Sequence, residues 1–182
     1  MKKIFLVLSI ITVFLLSGCN DTLNNTPTKQ VEMFLDNYKT LNDDVLSQLD
    51  EVVERENLFD DDSKEDYKDI MKTHYKNLKY EIKDETVNGN QATVSTEIEV
   101  TDYSKIMSDA NKYLADHRDE FNDKTGKYDE TLFTKYRLDK LKDAKDTVKY
   151  TIDFQLTKKS GKWMLENLTD EQEAKINGMY TY

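Results

Sequence analysis

Twice in this chain the spacing of apolar residues drops to two, and that pattern limits the folds open to it. Leu78, Tyr80 and Ile82 alternate with polar residues, Asn88-Gly89-Asn90 supplies turn chemistry, and Ala92, Val94, Thr96, Ile98 and Val100 resume the alternation. Val148, Tyr150, Ile152, Phe154 and Leu156 alternate in the same way, Lys158-Lys159-Ser160-Gly161 turns, and Trp163 and Leu165 lie on the returning run. A period of two puts every apolar side chain on one face of a strand and leaves the other face wet. Each run therefore predicts an antiparallel hairpin. A hairpin cannot bury its apolar face by itself, so the remaining segments must cover it.

Those segments carry the helical period. Thr26-Pro27 reads as an N-cap followed by proline at the first helical position, and Val31, Phe34, Leu35, Tyr38 and Leu41 recur at helical spacing behind it. Past Asn42-Asp43-Asp44, Val45, Leu46, Leu49, Val52 and Val53 form a second stripe. Asp60-Asp61-Asp62 interrupts, and Ser63 is the expected cap of a third helix with Tyr67, Ile70, Met71 and His74 on its inner face, fading at Leu78. Between the hairpins, Tyr103, Ile106, Met107, Ala110, Tyr113, Leu114, His117 and Phe121 return to the helical period, and a less regular helix is expected from about Asp129 to Ala144. Thr169 with Gln172 is a capping-box signature for a short last helix that stops at Gly178. The expected fold class is α+β: N-terminal helices on a curved, cone-like antiparallel sheet, with a helical insertion at about residues 103–146 between two hairpins.

The first residues belong to a different kind of segment. Met1-Lys2-Lys3 is a positive head, Ile4 to Leu16 is apolar apart from Ser9 and Thr12, and Ser17-Gly18 are small. That order is the order of an export signal. The apolar run falls short of the roughly 20 residues a bilayer-spanning helix needs, so removal is expected. Leu16-Ser17-Gly18 leads directly into Cys19, the only cysteine of the chain. This resembles the lipobox of bacterial lipoproteins, and the resemblance implies cleavage between Gly18 and Cys19, a diacylglycerol of the palmitate type on the Cys19 sulfur, and residence on the outer side of the cytoplasmic membrane. A thiolate is the side-chain nucleophile best suited to forming the thioether. Residues 1–18 are then the signal, 19–26 a polar tether, and 27–182 a single domain.

Charge narrows the partners. The formal charge is −10, and loss of Lys2 and Lys3 with the signal leaves 24 basic against 36 acidic residues. Such a balance argues against nucleic acid and against adhesion to anionic lipid. Charged residues make up 34% of the chain, but eleven Tyr, seven Phe and one Trp in periodic positions favour a folded domain over disorder. With its one thiol lipidated, the domain has neither disulfides nor cysteine-based zinc sites, and its stability rests on packing.

The order of elements resembles the nuclear transport factor two-like superfamily, whose members curl a sheet around N-terminal helices into a cone. The helical block from Pro27 to Leu78 and the closing hairpin with Gly161-Lys162-Trp163 carry that resemblance; the insertion at Tyr103 to Ala144 departs from it. Enzymes of the superfamily place an acid or a His–Asp pair inside the cone, but none of their patterns maps onto this chain, so no catalytic residue is assigned. His74 and His117 both fall on apolar stripes and read as packing residues. Tyr80, Tyr150, Phe154 and Trp163 lie on strands and are the candidate lining of a ligand pocket, with simple core packing as the alternative.

No metal site is expected. In Asp119 to Gly126 an EF-hand register would make Phe121 the first ligand and Leu132 the last, and Asp60-Asp61-Asp62 with Glu65-Asp66 reads as a solvated helix start. No glycine loop for phosphates and no nucleophile motif is present, and no cofactor is implied. The function expected from the sequence is a non-enzymatic, lipid-anchored module binding a protein or small ligand, held to the membrane by lipid on Cys19. The alternative is a cone-pocket hydrolase or isomerase using a buried carboxylate with a tyrosine. A two-lobed solute receptor would need a longer chain.

Overall fold

A computed structural model describes residues 25–55 and 60–181 of the protein. The lipobox residues Gly18 and Cys19 lie outside the described residues. Three helices lead: α1 (Pro27–Thr40), α2 (Asp43–Arg55) and α3 (Asp61–Asn77). The hairpin of β1 (Lys79–Asn88) and β2 (Gln91–Thr101) follows, then α4 (Tyr103–Asp116), a single 3-10 turn at Arg118–Phe121, and α5 (Glu130–Lys142). The second hairpin, β3 (Thr147–Lys159) and β4 (Lys162–Leu165), precedes the short α6 (Asp170–Ile176). The strands form one antiparallel sheet in the order β1-β2-β3-β4. The protein is thus α+β, with its helices leading and a helical insertion between two hairpins.

Local chemistry sets the boundaries. The Thr26 side chain accepts from the Lys29 amide and Pro27 opens α1. Asn42 caps α2 by accepting from the Val45 amide at 3.0 Å. The third helix starts earlier than its serine suggests: Asp60 is the cap, and Ser63, itself buried, only donates its amide to Asp60 Oδ1 at 2.9 Å. A carboxylate at that place satisfies an orphan amide and also meets the positive end of the helix dipole. α6 carries the full reciprocal capping box between Thr169 and Gln172. The second turn is the two-residue kind whose twist suits a hairpin, with Ser160 and Gly161 both at positive φ (51° and 80°).

The core lies between α1–α3 and one face of β2 and β3. Val31, Phe34, Leu35, Val53, Ile70, Met71 and Tyr75 from the helices meet Val94, Ile98, Ile152, Phe154 and Leu156 from the sheet. The opposite face is wet and carries crossed charges, Lys79 with Glu99 at 3.0 Å and Lys149 with Glu97 at 2.8 Å. β1 does not keep its alternation. Ile82 pairs with Thr96 but Asp84 pairs with Ser95, so Lys83 is an extra, bulged residue. Beyond it the side chains change faces: Glu85, opposite Val94, lies on the helix side, and Asp84 and Thr86 lie on the wet side.

That exchange of faces has a use. Glu85 Oε2 accepts from the Thr28 amide at 2.9 Å and from the Thr28 hydroxyl at 2.6 Å, so a sheet residue satisfies an orphan donor at the start of α1. The bulge and the charges along β1 also make this outer strand a poor template for pairing with another chain. The edge of β3 left open by the short β4 is covered differently: Gln172 donates to the Asp153 carbonyl and Lys175 to the Thr151 carbonyl, both from α6.

Candidate functional site

Three of the four strand aromatics are packed into the core. Tyr150, Phe154 and Trp163 are buried, Phe154 completely, with its ring edge-on to Phe34 at 5.8 Å. Tyr80 is half-buried on β1 and donates its hydroxyl to Asp36 Oδ1 at 2.9 Å. None of the four borders the two hollows described below. Helices α1 and α3 pack in front of these strands, and the buried period-two aromatics belong to the core they share.

The two histidines part company. His74 is 1% exposed, stacks on Tyr103 at 4.9 Å, and donates Nε2–H to the Ile176 carbonyl at 2.8 Å. Burial pulls its pKa down to about 4, against a smaller upward contribution from the Ile176 hydrogen bond, so the ring is neutral at ordinary pH. Beside it the Tyr75 hydroxyl donates to Asn177 Oδ1 at 3.0 Å, and burial raises that phenol well above its usual range. Gly178 completes the arrangement: its carbonyl accepts from the Tyr103 and Ser104 amides, both at 2.9 Å. These buried polar groups hold the C-terminal segment to α3 and to the start of α4.

His117 is not on an inner stripe. α4 ends at Asp116, and His117 follows it as an exposed cap whose ring stacks on Tyr113 with centroids 4.1 Å apart. Phe121 sits on the 3-10 turn instead of on α4. Tyr113 stacks in turn on Tyr136 at 5.1 Å, and Lys140 closes the column at 5.2 Å. With Ala110, Phe121 and Phe133, these rings form a second, smaller core confined to the insertion. Two ion pairs tie this small core to α3 and its cap: Lys142 to Asp66 at 2.7 Å and Lys135 to Asp60 at 2.8 Å. The Lys135 contact is the largest reason the Asp60 carboxyl is held down to about 2.

Where the insertion meets α3 a groove of about 370 Å³ opens to the surface. Ile70, Leu141 and Ala144 give it an apolar floor, and Asp66, Asp69, Thr73 and Lys142 give it a polar rim. Tyr103 forms one wall, with its phenol pushed up to about 12 by burial. An open, partly apolar groove with polar groups at its margin can hold a short peptide segment or a small amphipathic molecule. The sequence reading missed it because its walls come from separate stretches, α3, the start of α4 and the end of α5, brought together only by the packing of the insertion. The signal available beforehand was the insertion itself.

Another hollow, of about 280 Å³, is lined among others by Thr86, Asn88, Thr93, Gln155 and Glu166 on the wet side of the sheet. Among the described residues, no group of three or more His, Cys, Asp or Glu side chains converges as a metal site would require, and no helix is long and apolar enough to cross a membrane. No protein-family model matches the chain, and neither a curated protein nor a solved structure matches it.

Proposed function

We propose that the protein is a lipid-anchored module on the outer face of the cytoplasmic membrane, and that it binds a protein segment or small amphipathic ligand in the groove between α3 and the insertion. The observation that carries the reading is the run Leu16-Ser17-Gly18-Cys19 behind a charged and apolar leader, with its one thiol at the junction. The chain's sparing use of cysteine fits a domain whose only thiol is consumed by lipid. Two acyl chains on that sulfur hold essentially permanently, whereas a single one holds only marginally.

The groove supports the binding half of the reading. Its floor is apolar and its rim is set by the Lys142–Asp66 pair, so a ligand there exchanges water for an apolar contact without separating buried charges. Intact-mass spectrometry of the protein extracted from membranes tests the anchor: the mature chain must begin at Cys19 and carry the added mass of the lipid, and a bare thiol there refutes it. Crosslinking in intact cells tests the groove, comparing the native chain, Cys19→Ala and Thr73→Arg, the last of which puts a long side chain across the groove. Partners lost in Thr73→Arg but retained by a distant surface variant such as Lys124→Ala belong to the groove; an unchanged pattern removes the groove from the proposal.

A further inference from the structure

We infer that the end of the sheet from which the tether leaves is a membrane-facing pole, and that Lys158, Lys159 and Lys162 there engage anionic lipid headgroups. The inference rests on the lipid-anchored reading. Asn25, the first described residue, is fastened to β4: its side-chain amide donates to the Trp163 carbonyl at 3.3 Å and its Oδ1 accepts from the Trp163 amide. The segment running back to Cys19 therefore starts beside Lys162. Six residues at no more than about 3.6 Å each keep the lipidated sulfur within roughly 20 Å of that point.

Both hairpin turns lie at this end. The Lys158 amide donates to the Asn90 carbonyl at 2.7 Å, so the turn at Asn88–Asn90 packs beside the turn at Lys159–Lys162. Residues 86–93 contain no charge, and residues 157–165 contain three lysines and no acid. All three lysines are exposed, and among the described residues none has a carboxylate within ion-pairing distance; Lys158 instead lies over the Trp163 ring at 5.4 Å. The nearest acids are set back along the strands and are already engaged, Glu85 by Thr28 and Glu166 by the Thr157 hydroxyl. Asp21 is the one acid in the tether.

The net charge of the chain hides this local reversal. Screening limits attraction to about 8 Å at physiological salt, so a surface held at one end of the molecule responds to that end and not to the distant acids. Val87, half exposed at the rim of the first turn, gives the same pole an apolar residue to set against the headgroup layer. Docking at this pole would turn the opposite end of the domain away from the membrane.

The test couples the mature chain through its single thiol at Cys19 to a maleimide lipid, in vesicles of phosphatidylcholine alone or of phosphatidylcholine mixed with phosphatidylglycerol. Amine-reactive labelling read by mass spectrometry then reports each lysine. Lys158, Lys159 and Lys162 should label more slowly on the anionic vesicles, on the order of tenfold, while Lys124 and Lys127 on the insertion remain unchanged. Molar salt should remove the difference. Equal labelling of the three lysines on both vesicles, or slowing shared by Lys124 and Lys127, overturns the inference. Chemical coupling keeps this result separate from the mass measurement that decides whether cells lipidate Cys19.

Discussion

His74 Nε2 lies 2.8 Å from the carbonyl oxygen of Ile176, joining residues 102 positions apart in the sequence. Since a carbonyl can only accept, the proton is on Nε2, and Nδ1 keeps its lone pair in a buried place without a hydrogen-bond partner among the described residues. A second proton would have to enter that site as a charge.

This fixes the sign of a pH dependence. The folded pKa of His74 is about 4 and the unfolded value about 6.5, so the unfolded chain binds more protons between those limits. The stability due to the neutral ring is fully present above pH 6.5 and lost as pH falls towards 4. The shift corresponds to about 3 kcal/mol. Urea unfolding between pH 7 and 4 should show that slope in the native chain and a much shallower one in His74→Phe, whose ring fits the stack on Tyr103 but does not titrate; equal slopes would show that the carboxylates alone govern the acid limb.

Gly178 is the other essential part of this clamp. Its φ is +66°, and a Cβ built on it would stand 2.0 Å from the Thr101 carbonyl oxygen and 3.0 Å from His74 Cε1. Gly161 has φ +80° with nothing within 4 Å of the same position. Gly161→Ala should therefore cost only the left-handed penalty of about 1–2 kcal/mol. Gly178→Ala must also displace backbone and should cost clearly more, upwards of about 3 kcal/mol. Comparing the two thermal midpoints checks the prediction, and equal losses would mean that the close approach does not matter.

What could be read beforehand followed from how far each determinant reaches along the chain. The alternation at Val94–Val100 and Tyr150–Leu156 and the helical stripe at Val31–Tyr38 are local records of burial, and the structure places all of them in the main core. The bulge at Lys83 leaves no such record, because an extra residue in a strand changes pairing without requiring a particular side chain. Asp60 and Ser63 are both good caps, and only the path of the backbone decides between them. His117 misled because stacking on Tyr113 can occupy an aromatic at a helix end as well as burial can. Asn25 with Trp163, and His74 with Ile176, join stretches that no window of sequence compares.

The strand aromatics give a direct measure of whether the sheet face is filled. Phe154 is completely buried and its ring meets Phe34. If the space around it is core, Phe154→Ala leaves a cavity and should cost about 3–5 kcal/mol in denaturant unfolding. If the same face enclosed a ligand cavity, truncation would only enlarge that space, and the loss would fall near 1 kcal/mol. Tyr80→Phe serves as the control at the rim, since it removes a half-buried hydroxyl from Asp36 and should change stability by less than about 1 kcal/mol.

The bulge at Lys83 makes a prediction about register that a simple side-chain change cannot imitate. Glu85 lies opposite Val94 on the helix side of β1, where its carboxylate meets the Thr28 amide and hydroxyl. Glu85→Ala should cost about 0.5–1 kcal/mol, the usual worth of an anion at a helix N-terminus, and should cost less at high salt. Deleting Lys83 removes only the extra residue: Ile82 still faces Thr96 and Asp84 still faces Ser95, so the alternation becomes regular and Glu85 stays opposite Val94 on the helix side. The deletion should therefore leave the carboxylate at Thr28, and Glu85→Ala should cost about as much in the deleted chain as in the native one. A Glu85→Ala cost that vanishes in the deleted chain would overturn this and show that the local twist of the bulge is needed to aim Glu85 at α1.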